Sequence, residues 1–271
     1  RDLHLSIRRQ RQMCIRDRKT ITPEQRKKVW DGAKTWAIGQ ALAVSETMSI
    51  LADPKRGRDG VFPELVLFDC HACHHPMGEN RWKPKTAFGP SISPGLVRLN
   101  DSGMLMLRAI TRTIDPKLGD RVVLQTQKLH RAIAGEGDAF AEAAALKKLA
   151  EETVPVISAA SFSIQTMSAV LMRLIDDGID GIYSDYAAAE QATLAIGSVG
   201  AFLAKQGAMT APQKFNATLK KLTASLAMDE QYKPREFEVL LKELRSQTGT
   251  VAATSKAAAA VAPTVPAGAK L

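Results

Sequence analysis

From Thr22 to about residue 247 the chain repeats one pattern: apolar residues three or four apart, in blocks broken by proline, glycine or aspartate. That spacing lines one face of an α-helix, and it lacks the strict alternation a half-buried strand needs. The first block is the longest. Thr22 is a good N-cap, Pro23 suits the first helical position and Glu24 favours the positive end of the helix dipole. Val29, Trp30, Ala33, Ala37, Leu42, Val44, Met48 and Leu51 then follow at helical spacing. A helix over 23–52 is expected, closed by Asp53-Pro54. The same reasoning predicts helices near 102–114, 120–134, 137–149, 153–176, 184–205, 211–227 and 234–247. Only 5% of residues are aromatic while alanine is abundant, which again favours helices over sheets. No glycine-rich phosphate loop and no internal repeat interrupts the pattern. The expected fold is an all-α helical bundle. Met104 and Met106 belong in its core, and Trp30 and Trp36 pack the first helix onto it. No run approaches the roughly 18 consecutive apolar residues of a membrane span, so no transmembrane segment is expected.

Two stretches depart from the pattern. Residues 76–100 contain Pro76, Gly78, Pro84, Gly89, Pro90, Pro94 and Gly95, too many breakers for a regular element. A loop of that length in a compact domain usually wraps something or carries function. Residues 248–271 form an Ala/Pro/Thr/Val tail without amphipathic period, expected to be disordered.

The formal charge of +9 raises the question of an acidic partner. Much of it sits in residues 1–18, where six arginines face two aspartates, leaving +5 for the rest. That segment has no clean period and does not begin with Met. It resembles translated sequencing-adapter sequence, the alternative being a basic, disordered arm. On either reading His4 and Cys14 carry no functional weight, and the true N-terminus, with any export signal, is expected to lie upstream. Elsewhere the basic residues are scattered without interleaved aromatics, which disfavours nucleic-acid binding.

The chemistry-bearing motif is Asp69-Cys70-His71-Ala72-Cys73-His74-His75. Cys-x-x-Cys-His is the sequence expected for covalent haem c attachment. Two thiols two residues apart match the separation of the porphyrin vinyl groups, and the adjacent His74 projects toward iron as an axial ligand. Three alternatives remain open. A zinc site can use Cys70 and Cys73 with His71, His74 or His75, although a closed site usually takes a second ligand pair at a distance. A redox dithiol would need a βαβ context. A simple disulfide or two reduced thiols complete the set. Around the motif, Trp82 and Phe88 are candidates for covering a haem face or for ordinary core anchoring. Arg81, Lys83 and Lys85 are candidates for propionate pairing or a solvated basic loop.

Beyond the motif alone, Val29–Ala43, Asp69–His75, Arg81-Trp82 and Gly89–Gly95 together resemble bacterial multihaem c-type cytochromes, similar to the tetrahaem electron-transfer cytochromes of nitrifiers. The resemblance covers about a quarter of the chain and does not extend past residue 118. It implies an electron carrier with one haem in this chain, the last haem of a larger multihaem protein, with redox partner proteins and a periplasmic or extracytoplasmic location. His75 is then a candidate ligand of a neighbouring haem. His130 is the one distant candidate for the sixth iron position, and Met77 is too close in sequence to turn back to the same iron. The chain is expected to divide into the arm 1–18, a haem-attachment region 19–118, a helical region 119–247 and the tail. A haem enzyme with an open sixth position, acting on a small nitrogen or oxygen species, is the competing function. A zinc-stabilised helical interaction module is the third.

Overall fold

A computed structural model of the chain describes residues 32–57, 64–70, 87–88, 98–209 and 211–248. Among them are eight α-helices and no strand, so the all-α expectation holds. The arm 1–18, most of the breaker-rich loop and the tail beyond Thr248 lie outside the described residues. We number the helices α1 (Gly32–Ala52), α2 (Ser102–Ile114), α3 (Pro116–Arg131), α4 (Ala139–Ala159), α5 (Ile164–Ile179), α6 (Tyr186–Lys205), α7 (Pro212–Ala224) and α8 (Pro234–Thr248).

Local chemistry accounts for most of the helix starts. Asp115 takes the N–H of Leu118 at 3.1 Å and Pro116 holds the first position, so the Asp-Pro pair that ends α2 also begins α3. The start expected near residue 120 is therefore one turn early in the structure. Asp138 caps α4 through Phe140 and Ala141, and Ser163 caps α5 through Thr166. Gly135, at φ 97°, closes the turn after α3 in a conformation that L side chains rarely adopt.

One expectation is corrected. The sequence places a break between residues 149 and 153, ahead of Pro155, yet α4 runs unbroken to Ala159 and the break falls at 160–163. A helix-interior proline costs about 3 kcal/mol. Here Pro155 is exposed, and so is Glu151, whose carbonyl loses its partner to the proline ring, so water can satisfy it. The opposite face of α4 buries Ala143, Leu146, Ala150, Thr153 and Ile157. Among the described helices that face makes the most extensive pairing, against α1. Ala33, Ala37 and Ala41 of α1 are fully buried there at four-residue spacing, and their small side chains let the two backbones approach.

At the centre lies α2, which packs on α1, α3, α5 and α6. Nine of its residues are buried, among them Arg108 and Thr111 beside the apolar majority. Met104 and Met106 are in the core as expected, and Trp36 packs against its edge. The second half of the bundle is built by α5 against α6 and α8, with α7 closing on α8. One apolar core runs from Ala33 to Leu244. The division expected at 118/119 falls inside α3, and residues on both sides share that core.

Among the described residues there is no clear transmembrane segment. α6 alone is long and apolar enough, by length and composition, to cross a membrane, and half of it is buried within the bundle.

Candidate functional site

The attachment segment enters the fold through a short, well-tied stretch. Leu65–Leu67 forms a single 3-10 turn just before the motif. Phe68 then pairs with Leu99 as an isolated antiparallel bridge. Two backbone bonds flank that bridge: Asp69 N–H donates to the Arg98 carbonyl and Asn100 N–H to the Leu67 carbonyl, both at 2.9 Å. The backbone is thus fixed up to the residue before Cys70. Cys70 itself is exposed, with a free thiol. Leu65 and Val66, a few residues upstream, are 67% and 83% exposed, an apolar surface on an otherwise solvated turn.

Beneath this stretch is a buried polar network. Arg98 Nη2 lies 2.7 Å from Asp185 Oδ1 and 3.4 Å from Asp69 Oδ2, with all three side chains less than a tenth exposed. Burial works against the Arg98 charge, but Asp185, Asp101 and Asp69 together outweigh it and hold the guanidinium above its ordinary pKa. Asp101, just before α2, also faces His130 of α3, whose Nε2 is 3.9 Å from Asp101 Oδ2. The His130 ring stands edge-on to Phe88, centroids 5.8 Å apart.

Phe88 belongs to a second anchor, later in the chain. Arg108 of α2 donates through Nη1 to the Ala87 carbonyl at 2.8 Å and through Nη2 to Asp177 Oδ2 of α5 at 2.7 Å. Its guanidinium also stands over the Phe88 ring at 5.7 Å. Burial raises the Asp177 pKa, and Arg108 only partly offsets it. Burial, helped by the Asp177 charge, pushes the Tyr183 hydroxyl well above the ordinary phenol value. On either side of residues 71–86, which lie outside the described residues, Asp69 and Ala87 are each held by a buried arginine.

Of the candidate haem-site residues, Cys70, Phe88 and His130 are described. His130 and Phe88 are brought together, and both are buried in the bundle rather than exposed. Cys73, His74, His75, His71, Met77, Arg81, Trp82, Lys83 and Lys85 lie outside the described residues. Among the described residues no group of three or more His, Cys, Asp or Glu is placed to hold a metal ion. Arg98, Asp101, Arg108, Asp177 and Asp185 were not singled out by sequence reasoning. Their signal is present nonetheless: Arg98 sits in Leu96-Val97-Arg98-Leu99 and Arg108 in Met104–Ile110, single charges inside apolar runs. A charge at a core position is rare unless it is paired.

No family model, curated protein or solved structure matches this chain.

Proposed function

We propose that the protein is a c-type cytochrome of the multihaem kind, an electron carrier working outside the cytoplasm between redox partner proteins. The observation that carries this reading is Cys70-His71-Ala72-Cys73-His74, with the first thiol exposed at the end of a backbone tied to the bundle. The residues present fit a haem in chemistry. Cys70 and Cys73 would hold it through thioethers and His74 would ligate iron. The accessible Cys70 thiol, a few residues after exposed Leu65 and Val66, suits a large apolar ring held by covalent bonds. When bound, haem supplies reversible one-electron chemistry at iron. The protein's own part is to hold the attachment backbone still. Asp69 N–H stays on the Arg98 carbonyl, and Arg108 holds the Ala87 carbonyl. A rigid setting of this kind keeps structural change on electron exchange small. His75 remains the candidate ligand of a neighbouring haem. His130 is engaged with Asp101 and Phe88.

The test is direct. The full chain, fused to an export signal and expressed with haem-attachment machinery, should stain for haem on a denaturing gel. Cys70→Ala or Cys73→Ala should lose the double thioether linkage. Full covalent haem in either variant overturns the site assignment. Stoichiometric zinc in place of haem overturns the cytochrome reading. Rapid binding of carbon monoxide to the reduced protein would replace the sealed carrier by a haem with an open sixth position.

A further inference from the structure

We infer that Arg98 is a positioning residue for Cys70, coupling the attachment segment to the N-terminus of α6 and so giving the C-terminal half of the bundle a role in setting that thiol. The inference rests on Cys70 being an attachment thiol.

Three links meet at this one residue. Its carbonyl accepts the Asp69 N–H at 2.9 Å, its guanidinium reaches the Asp69 carboxylate at 3.4 Å, and the same Nη2 reaches Asp185 at 2.7 Å. Asp69 is therefore held through backbone and side chain at once, one residue before Cys70. The other partner is 87 positions away by residue number, at the residue preceding α6. Asp185 occupies the N-cap position of α6, where an aspartate ordinarily accepts from the first turn, yet its side chain makes no capping bond there. The carboxylate goes to Arg98 instead. Stability alone does not explain this choice, since well-packed apolar residues commonly serve as well as a buried ion pair. What a directional buried pair adds is a unique register between the elements it joins. The elements joined here are the segment leading to the motif and the start of α6.

The experiment uses the full chain carrying Arg98→Met, Arg98→Lys or Asp185→Asn, with far-UV circular dichroism to verify the bundle. Hydrogen exchange is followed by mass spectrometry over residues 64–70, with the buried face of α4 as internal reference. Arg98→Met and Asp185→Asn should speed exchange at Asp69 about tenfold or more relative to α4. Arg98→Lys should fall between them and the parent, since a lysine keeps the charge but not the fork. In haem-loaded protein, peptide mapping should show linkage through Cys70 falling relative to linkage through Cys73. Unchanged exchange at Asp69 in Asp185→Asn overturns the coupling. That variant leaves Arg98 and Asp69 in place, so it decides the matter even if Arg98→Met fails to fold. Faster exchange at Asp69 in a protein whose parent never takes haem would uphold the coupling and sink the attachment reading instead.

Discussion

Replacing Arg108 by methionine keeps the aliphatic stem and removes one charge from the centre of the molecule. The Arg108 side chain is 5% exposed and that of its partner Asp177 is 15% exposed. Breaking a buried pair by deleting one member costs about 3–5 kcal/mol, because the remaining charge is left uncompensated. Asp177 keeps some contact with water and can take up a proton, so the lower end applies. The Ala87 carbonyl also loses its 2.8 Å donor, worth about 1 kcal/mol. The expected loss is about 4 kcal/mol at neutral pH, a large share of the 5–15 kcal/mol typical of a whole domain. The loss should depend on pH in a definite direction. Burial already holds the Asp177 pKa above the 3.8 of a free aspartate, and Arg108 is the main group pulling it back. Without Arg108 the folded value rises further. A carboxyl raised in the folded state costs stability above its folded pKa, and that cost disappears as pH falls through this value toward 3.8. Arg108→Met should therefore be less destabilising at about pH 5 than at about pH 7. Asp177→Asn in the same chain should recover about half of the loss at neutral pH, since no buried charge then remains. Urea unfolding followed by far-UV circular dichroism measures all of this. A cost below about 1 kcal/mol for Arg108→Met, or a double variant no better than the single, would refute the assignment of a compensated buried charge.

Two further substitutions test other parts of the structure. A Cβ at Gly178 would collide with Leu241 Cδ1 and lie 2.7 Å from Tyr183 Cδ2, so Gly178→Ala should destabilise by about 1–3 kcal/mol. Gly39, exposed on α1 with nothing within 4 Å of its would-be Cβ, should instead gain about 0.5–1 kcal/mol on Gly39→Ala; thermal melts that rank the two the other way would contradict the packing around α5. Tyr183 is fully buried, and its hydroxyl has no hydrogen-bond partner among the described residues. Its pKa is raised well above 10.0, by burial first and the Asp177 charge second, so the stability it supports is full below 10.0 and is lost as pH rises through the folded value. Tyr183→Phe should be neutral or slightly stabilising at neutral pH and should delay alkaline unfolding; a loss above about 1 kcal/mol would reveal a hydroxyl partner.

The helices were legible because helix formation is a local matter. Apolar spacing over a few turns, Asp115-Pro116 as a stop and Gly135 as a terminator are each read within a handful of residues. The same locality placed Met104 and Met106 in the core and picked out Cys70 as a thiol in a chemically meaningful spacing. It misjudged Pro155, since whether a helix survives a proline depends on what its other face buries, and that face meets α1. The polar network was beyond local reading altogether. Asp69 and Arg98 are 29 residues apart, and Arg108 and Asp177 are 69 apart. A lone arginine in an apolar run announces a buried charge; only the fold selects its partner, because compensation in a low-dielectric core is decided by distance in space and not along the chain. The sequence by itself thus determined an all-α chain and where the motif's thiols lie along it. The tertiary structure decided that Asp69 and Ala87 are held by buried arginines, one paired with Asp185 just before α6 and the other with Asp177 of α5.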